Sequence, residues 1–109
     1  MKKNGKFYII SGNNGNVKSY DYNDNILYHI YNDHDDSWHC SIKTLYEGDS
    51  VKLIDSCWKD DYIRIWDFNE GILLNKIKTN GTNIKCIYIY NENIIFVGCY
   101  DKSIRLIDI

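Results

Sequence analysis

The sequence predicts an all-β chain assembled from repeated antiparallel sheets of up to four strands. Three observations predict it. First, three hexapeptides share one pattern: Val17-Lys18-Ser19-Tyr20-Asp21-Tyr22, Ile63-Arg64-Ile65-Trp66-Asp67-Phe68 and Ile104-Arg105-Leu106-Ile107-Asp108-Ile109. Each reads apolar, basic, variable, bulky, Asp, bulky in its outline, and they start 46 and 41 residues apart. A period near 40 is the mark of a repeat architecture. Second, every hexapeptide follows a turn rich in Asp, Asn or Gly, which itself follows an apolar run. Third, the 109 residues contain no alanine and no proline but ten tyrosines. Loss of the best helix former in favour of β-branched and aromatic residues argues against a helical bundle. The excess of Ile, Asn, Lys and Tyr is what AT-rich coding produces, so it carries no functional weight.

The elements follow in order. Phe7-Tyr8-Ile9-Ile10 leads through Ser11–Asn16 into the first hexapeptide. Asn23-Asp24-Asn25 then turns the chain into Ile26–Ile30. The central unit is complete, with strands expected at about 38–45, 51–57, 62–68 and 72–78. The third unit offers Ile84–Tyr90, Ile94–Gly98 and Ile104–Ile109. In total ten strands are expected, in units at about 6–31, 34–78 and 82–109.

The stretch Ser56-Cys57-Trp58-Lys59-Asp60-Asp61-Tyr62-Ile63-Arg64-Ile65-Trp66-Asp67 resembles a WD40 repeat. It has that family's small-residue strand end, Asp turn and closing Trp-Asp. The resemblance implies β-propeller blades, each a four-stranded antiparallel sheet. It also implies a buried hydrogen-bonded network of His34, Ser56, Asp60 and Trp66, in which the indole N–H needs an acceptor. In the first unit Ser11, Asn14 and Tyr20 take the corresponding places. In the third, Asp101 keeps the turn, while Val97 and Ile107 stand where Ser and Trp are expected.

Other chemistries find little support. Asn32–His39 mixes two histidines with acids, but at no recognised metal-ligand spacing, and it reads as a polar loop. There is no nucleophile elbow, phosphate loop or zincin motif. Asp60 and Asp61 are adjacent, so on an extended segment they face apart and cannot share a substrate. The four cysteines (Cys40, Cys57, Cys86, Cys99) form no Cys-x-x-Cys pair and read as reduced, mostly buried small hydrophobes. A formal net charge of -2 disfavours nucleic acid, although lysines mixed with aromatics leave that reading open. No apolar run approaches ~18 residues, the length of a membrane-spanning helix.

The resemblance therefore implies a non-enzymatic scaffold that binds a protein or peptide partner; no metal or cofactor is expected, and the expected compartment is the cytoplasm, with the nucleus left open. Its expected contact face carries the turns that bear Asn13, Asp35, Asp36, Trp38, Lys59 and Tyr100. Alternatives are an accessory segment of a multidomain enzyme or ubiquitin-ligase substrate receptor, and a nucleic-acid-binding β module. About two and a half units fall short of the four to eight that close a propeller. The expectation is a fragment or truncated product of a larger propeller, or an arc completed by other copies or another chain.

Overall fold

The computed structural model describes residues 1–12, 16–32, 39–57, 61–79 and 83–109, with the side chains of His39 and Cys40 excepted. The described residues form three antiparallel sheets. Sheet I holds β1 (Lys2–Lys3), β2 (Lys6–Gly12), β3 (Val17–Asp21) and β4 (Ile26–Tyr31). Sheet II holds β5 (His39–Glu47), β6 (Ser50–Cys57), β7 (Tyr62–Asp67) and β8 (Leu73–Lys78). Sheet III holds β9 (Ile84–Ile89), β10 (Ile94–Cys99) and β11 (Ile104–Asp108). Strands are neighbours in chain order, so each sheet is a simple meander.

Eleven strands are present among the described residues, one more than expected. The extra strand is β1, which pairs Lys2 with Phe7 and Lys3 with Lys6. Its turn is Asn4-Gly5, with φ of 50° and 78°. Two successive positive φ values match the right-handed twist of a two-residue hairpin, and Asn-Gly is the pair that adopts them most readily. That signal is in the sequence, but lysine-rich flanks hide it from an apolar-run criterion.

The repeated Asp of the hexapeptide also has a local cause. Asp21 Oδ1 accepts from the amides of Asn23 (2.9 Å) and Asp24 (3.2 Å). Asp67 Oδ1 accepts from the amide of Glu70 at 2.8 Å. A carboxylate there satisfies turn amides that the ladder has abandoned. Both turns end four residues later in a left-handed residue, Asn25 (φ 55°) and Gly71 (φ 72°). Beyond each turn the last strand bulges at the same place. Tyr20 pairs Leu27 and Trp66 pairs Leu73, leaving Tyr28 and Leu74 as the extra residues.

Because strand side chains alternate, each sheet has two faces. We call the face toward the next sheet in the chain leading and its opposite trailing. The leading face of sheet I (Tyr8, Ile10, Val17, Tyr31) packs on the trailing face of sheet II (Val51, Leu53, Trp66, Phe68, Leu73). The leading face of sheet II (Leu45, Ile54, Ile63, Ile65, Ile77) packs on the trailing face of sheet III (Ile84, Ile87, Ile95, Val97, Cys99, Ile107). Burying each of these large apolar side chains contributes roughly 1.5–3 kcal/mol.

One polar chain crosses the first interface. The His29 amide donates to Ser19 Oγ (3.2 Å), the Ser19 hydroxyl meets Tyr31 Oη (3.1 Å), and Tyr31 donates to the Phe68 carbonyl (2.8 Å). Ser19, Tyr31 and Phe68 are all fully buried. Burial pushes the Tyr31 phenol well above its ordinary ionisation range, and the Ser19 hydroxyl partly offsets the shift. Nearby, the His29 imidazole Nε2 meets the Asn69 carbonyl of sheet II. Among the cysteines, Cys57 and Cys99 are buried but Cys86 is exposed. Alternation along β9 turns Cys86 away from sheet II, opposite Gly98.

Two outcomes follow. In the unfolded chain Tyr31 ionises at roughly pH 10. Its folded value lies higher, so its stabilising contribution is complete below that pH and is lost as pH rises beyond it. Urea unfolding at pH 8 and at about pH 11 should show a smaller alkaline loss in Tyr31→Phe than in the wild type. Gly71→Ala should lower stability by roughly 1–2 kcal/mol in the same assay, because its φ is left-handed and a Cβ would sit 3.0 Å from His29 Nδ1.

Candidate interaction surface and the buried network beneath it

The buried network differs from the expected one. His34 and Asp60 lie outside the described residues. Trp66 is buried, but its indole Nε1 donates to Asp55 Oδ2 at 2.9 Å rather than to Ser56. Register explains the correction. Trp66 pairs Leu53 and Arg64 pairs Asp55, so these four share the trailing face. Ser56 pairs Ile63 and points to the leading face, across the sheet from the indole. Its hydroxyl is buried with no hydrogen-bond partner among the described residues. Alternation applied to the hairpin register separates the two residues; position in a family motif does not.

The same register corrects the neighbouring equivalences. Gly12 and Gly98 pair the first hexapeptide residue in sheets I and III, as Ser56 does in sheet II. Ser11 and Val97 correspond instead to Asp55, opposite Lys18 and Arg105. The chain between these paired positions is four residues long from Gly12 to Val17, six from Ser56 to Ile63 and five from Gly98 to Ile104, so counting back from the hexapeptide slips.

Around the indole the trailing face of sheet II holds more polar groups. Arg64 is only 2% exposed. Its Nη1 lies 3.8 Å from Cys57 Sγ, and that sulfur lies 3.8 Å from Asp55 Oδ1. A carboxylate thus serves an indole and a thiol on a face it shares with a guanidinium, all desolvated. Such groups hold one arrangement only while each keeps its partners.

This network lies toward the edge where β6 turns into β7 and β10 into β11. Of the expected contact residues, Asn13, Asp35, Asp36, Trp38 and Lys59 lie outside the described residues. Tyr100 is described, and it is 64% exposed. Its amide donates to the Asn83 carbonyl at 3.0 Å, which ties the turn to the start of β9. The Lys85 ammonium stands 4.8 Å from the centre of its ring, a cation–π contact. Lys102 follows with φ of 69°, and Asp101 Oδ1 accepts from the Ser103 amide at 3.0 Å. Sequence reasoning found Tyr100 but missed Lys85, which a turn brings alongside from another strand. On sheet II, Thr79 donates from both its amide and its hydroxyl to the Asp61 carbonyl, each at 2.8 Å. Among the described residues no three His, Cys, Asp or Glu side chains gather as metal ligands would.

Meander sheets stacked face to face, each leading face covering the next trailing face, are blades of a β-propeller. The blades are of the WD40 type. The WD40 β-propeller domain of Doa1 superposes with a TM-score of 0.77 at 26% identity, over 91% of this chain and 32% of that one. The computationally designed Ika4 protein shares the fold at 19% identity, with a TM-score of 0.73 over all of this chain and 62% of its own. Among curated proteins, nuclear distribution protein PAC1 of Zygosaccharomyces rouxii is 34% identical over 59 residues, 54% of this chain and 13% of its own length. CCR4-associated factor 4 of Saccharomyces cerevisiae is 24% identical over 104 residues, 84% of this chain and 16% of its own. Mitochondrial division protein 1 of Coccidioides immitis is 36% identical over 50 residues, 46% of this chain and 7% of its own. The chain thus spans less than a fifth of the length of these curated relatives. No family model matches it.

The two candidate acceptors for Trp66 separate by mutation. Asp55→Ala should cost roughly 3–5 kcal/mol in urea unfolding, because it strands a buried indole beside a buried guanidinium. Ser56→Ala should shift stability by less than about 1 kcal/mol. Equal losses would return Ser56 to the network.

Proposed function

We propose that the chain is a non-enzymatic protein-interaction platform, and that the edge bearing Tyr100 is its contact face. The carrying observation is the Tyr100–Lys85 pair: a largely exposed aromatic ring with an ammonium against it, on a turn tied to the start of β9. Fixed aromatics at a charged edge are the usual energetic anchors of protein interfaces, since little side-chain freedom is lost on binding. The WD40-type blades support the same reading, because rigid short strands hold variable turns in place. Asn13, Asp35, Asp36, Trp38 and Lys59 lie outside the described residues; in chain order they fall between β2 and β3, β4 and β5, and β6 and β7, and we extend the proposed face to them on that ground alone. The partner is a protein or peptide.

Quantitative pull-down compares the wild type with Tyr100→Ala and Lys85→Ala. Proteins held by the wild type should fall several-fold with Tyr100→Ala, and less with Lys85→Ala. Melting curves should stay superimposable, because an exposed turn side chain contributes little to folding. Undiminished capture by Tyr100→Ala overturns this choice of face. Strongly salt-dependent binding of a single-stranded oligonucleotide would replace the protein partner with nucleic acid.

A further inference from the structure

The chain makes one kind of contact twice, leading face onto trailing face, and is left with one uncovered face of each kind. Register identifies the equivalent positions. On the leading side, Val17 and Ile63 are fully buried, while Ile104 at the same place in sheet III is 78% exposed. Ser19 and Ile65 are buried, while Leu106 is 57% exposed. Phe96 pairs Leu106 as Ile54 pairs Ile65, and it completes the uncovered apolar row of sheet III. On the trailing side, Leu53 pairs Trp66 and both are buried. Their counterparts in sheet I, Ile9 and Tyr20, are 49% exposed and half-buried. Phe7 and Leu27 hold the places of Val51 and Leu73 and are likewise exposed.

We propose that these two faces cover each other between two copies of the chain, the leading face of sheet III of one copy on the trailing face of sheet I of the other. The occupant is a second copy because the complement of each bare face is the other one. Both internal interfaces already use this pairing, so the intermolecular contact continues an established geometry. A single copy cannot make it, since the two faces lie at opposite ends of a row of three sheets. The contact is head-to-tail, so it closes into a ring when the rotation per copy allows. Two copies supply six sheets, within the four to eight that close a propeller. This inference stands apart from the proposed partner face, which uses turns at the strand ends and not the bare sheet faces.

Light scattering on the purified chain tests it. The wild type should have twice the chain mass at concentrations up to about 100 µM, well above a micromolar Kd. Ile9→Asp and Leu106→Asp should each be monomeric. Mixing the two variants should restore the dimer, because the mixed pair keeps one interface with neither substitution. Far-UV circular dichroism should be unchanged, since both residues are exposed within one copy. A monomeric wild type overturns the proposal, whether further blades of a longer chain or another protein cover the faces. A dimer that Ile9→Asp leaves intact also overturns it, because sheet III would then be meeting sheet III. Failure of the variants to recombine overturns the head-to-tail pairing. None of these outcomes bears on capture by Tyr100.

Discussion

A sheet that is apolar on both faces has to be covered on both, and the rest of this structure depends on that constraint. Antiparallel sheets can leave one face to water when polar residues alternate with apolar ones. These sheets do not alternate that way. Ile63 and Ile65 point one way and Trp66 points the other, and sheet II buries all three. Stacking face on face meets the requirement for the middle sheet and passes it on at either end. The exposed Phe7, Ile9, Ile104 and Leu106 follow from the same pattern that makes the core.

Polar groups within the interfaces make the stacking specific. Apolar faces alone tolerate sliding and repacking. The Tyr31 phenol, set between Ser19 and the Phe68 carbonyl, accepts one offset between sheets I and II. The Asp55–Trp66 bond does similar work within sheet II, fixing the indole on the face it presents to sheet I. A displacement of sheet I against sheet II would leave the buried Tyr31 hydroxyl without its Phe68 acceptor, at roughly 1–3 kcal/mol. The His29 ring reaching the Asn69 carbonyl adds a third tie near the turn that Gly71 closes.

Much of the fold was legible in the sequence. The near-40 period, the Asp-rich turns and the strand positions are local features, set within a few residues of where they are read. Asp21 and Asp67 show why: each satisfies amides two or three residues onward, so the signal and its cause lie together. The Asn4-Gly5 hairpin is equally local, and only its basic flanks hide it from an apolar-run criterion. The site was less legible. Asp55 as the indole acceptor, and Lys85 as the neighbour of Tyr100, do not show in the sequence, because both relations join different strands.

By itself, then, the sequence determined the all-β class, the repeat and the residues that make each turn. Tertiary structure alone decided which face every side chain occupies, and hence its partners. The reason lies in the pleat. A one-residue difference in turn length is faint in a repeat pattern, yet it moves a strand's side chains from one face to the other. Ser56 and Asp55 are neighbours in the chain, and only the register with β7 separates the one that meets Trp66 from the one that does not.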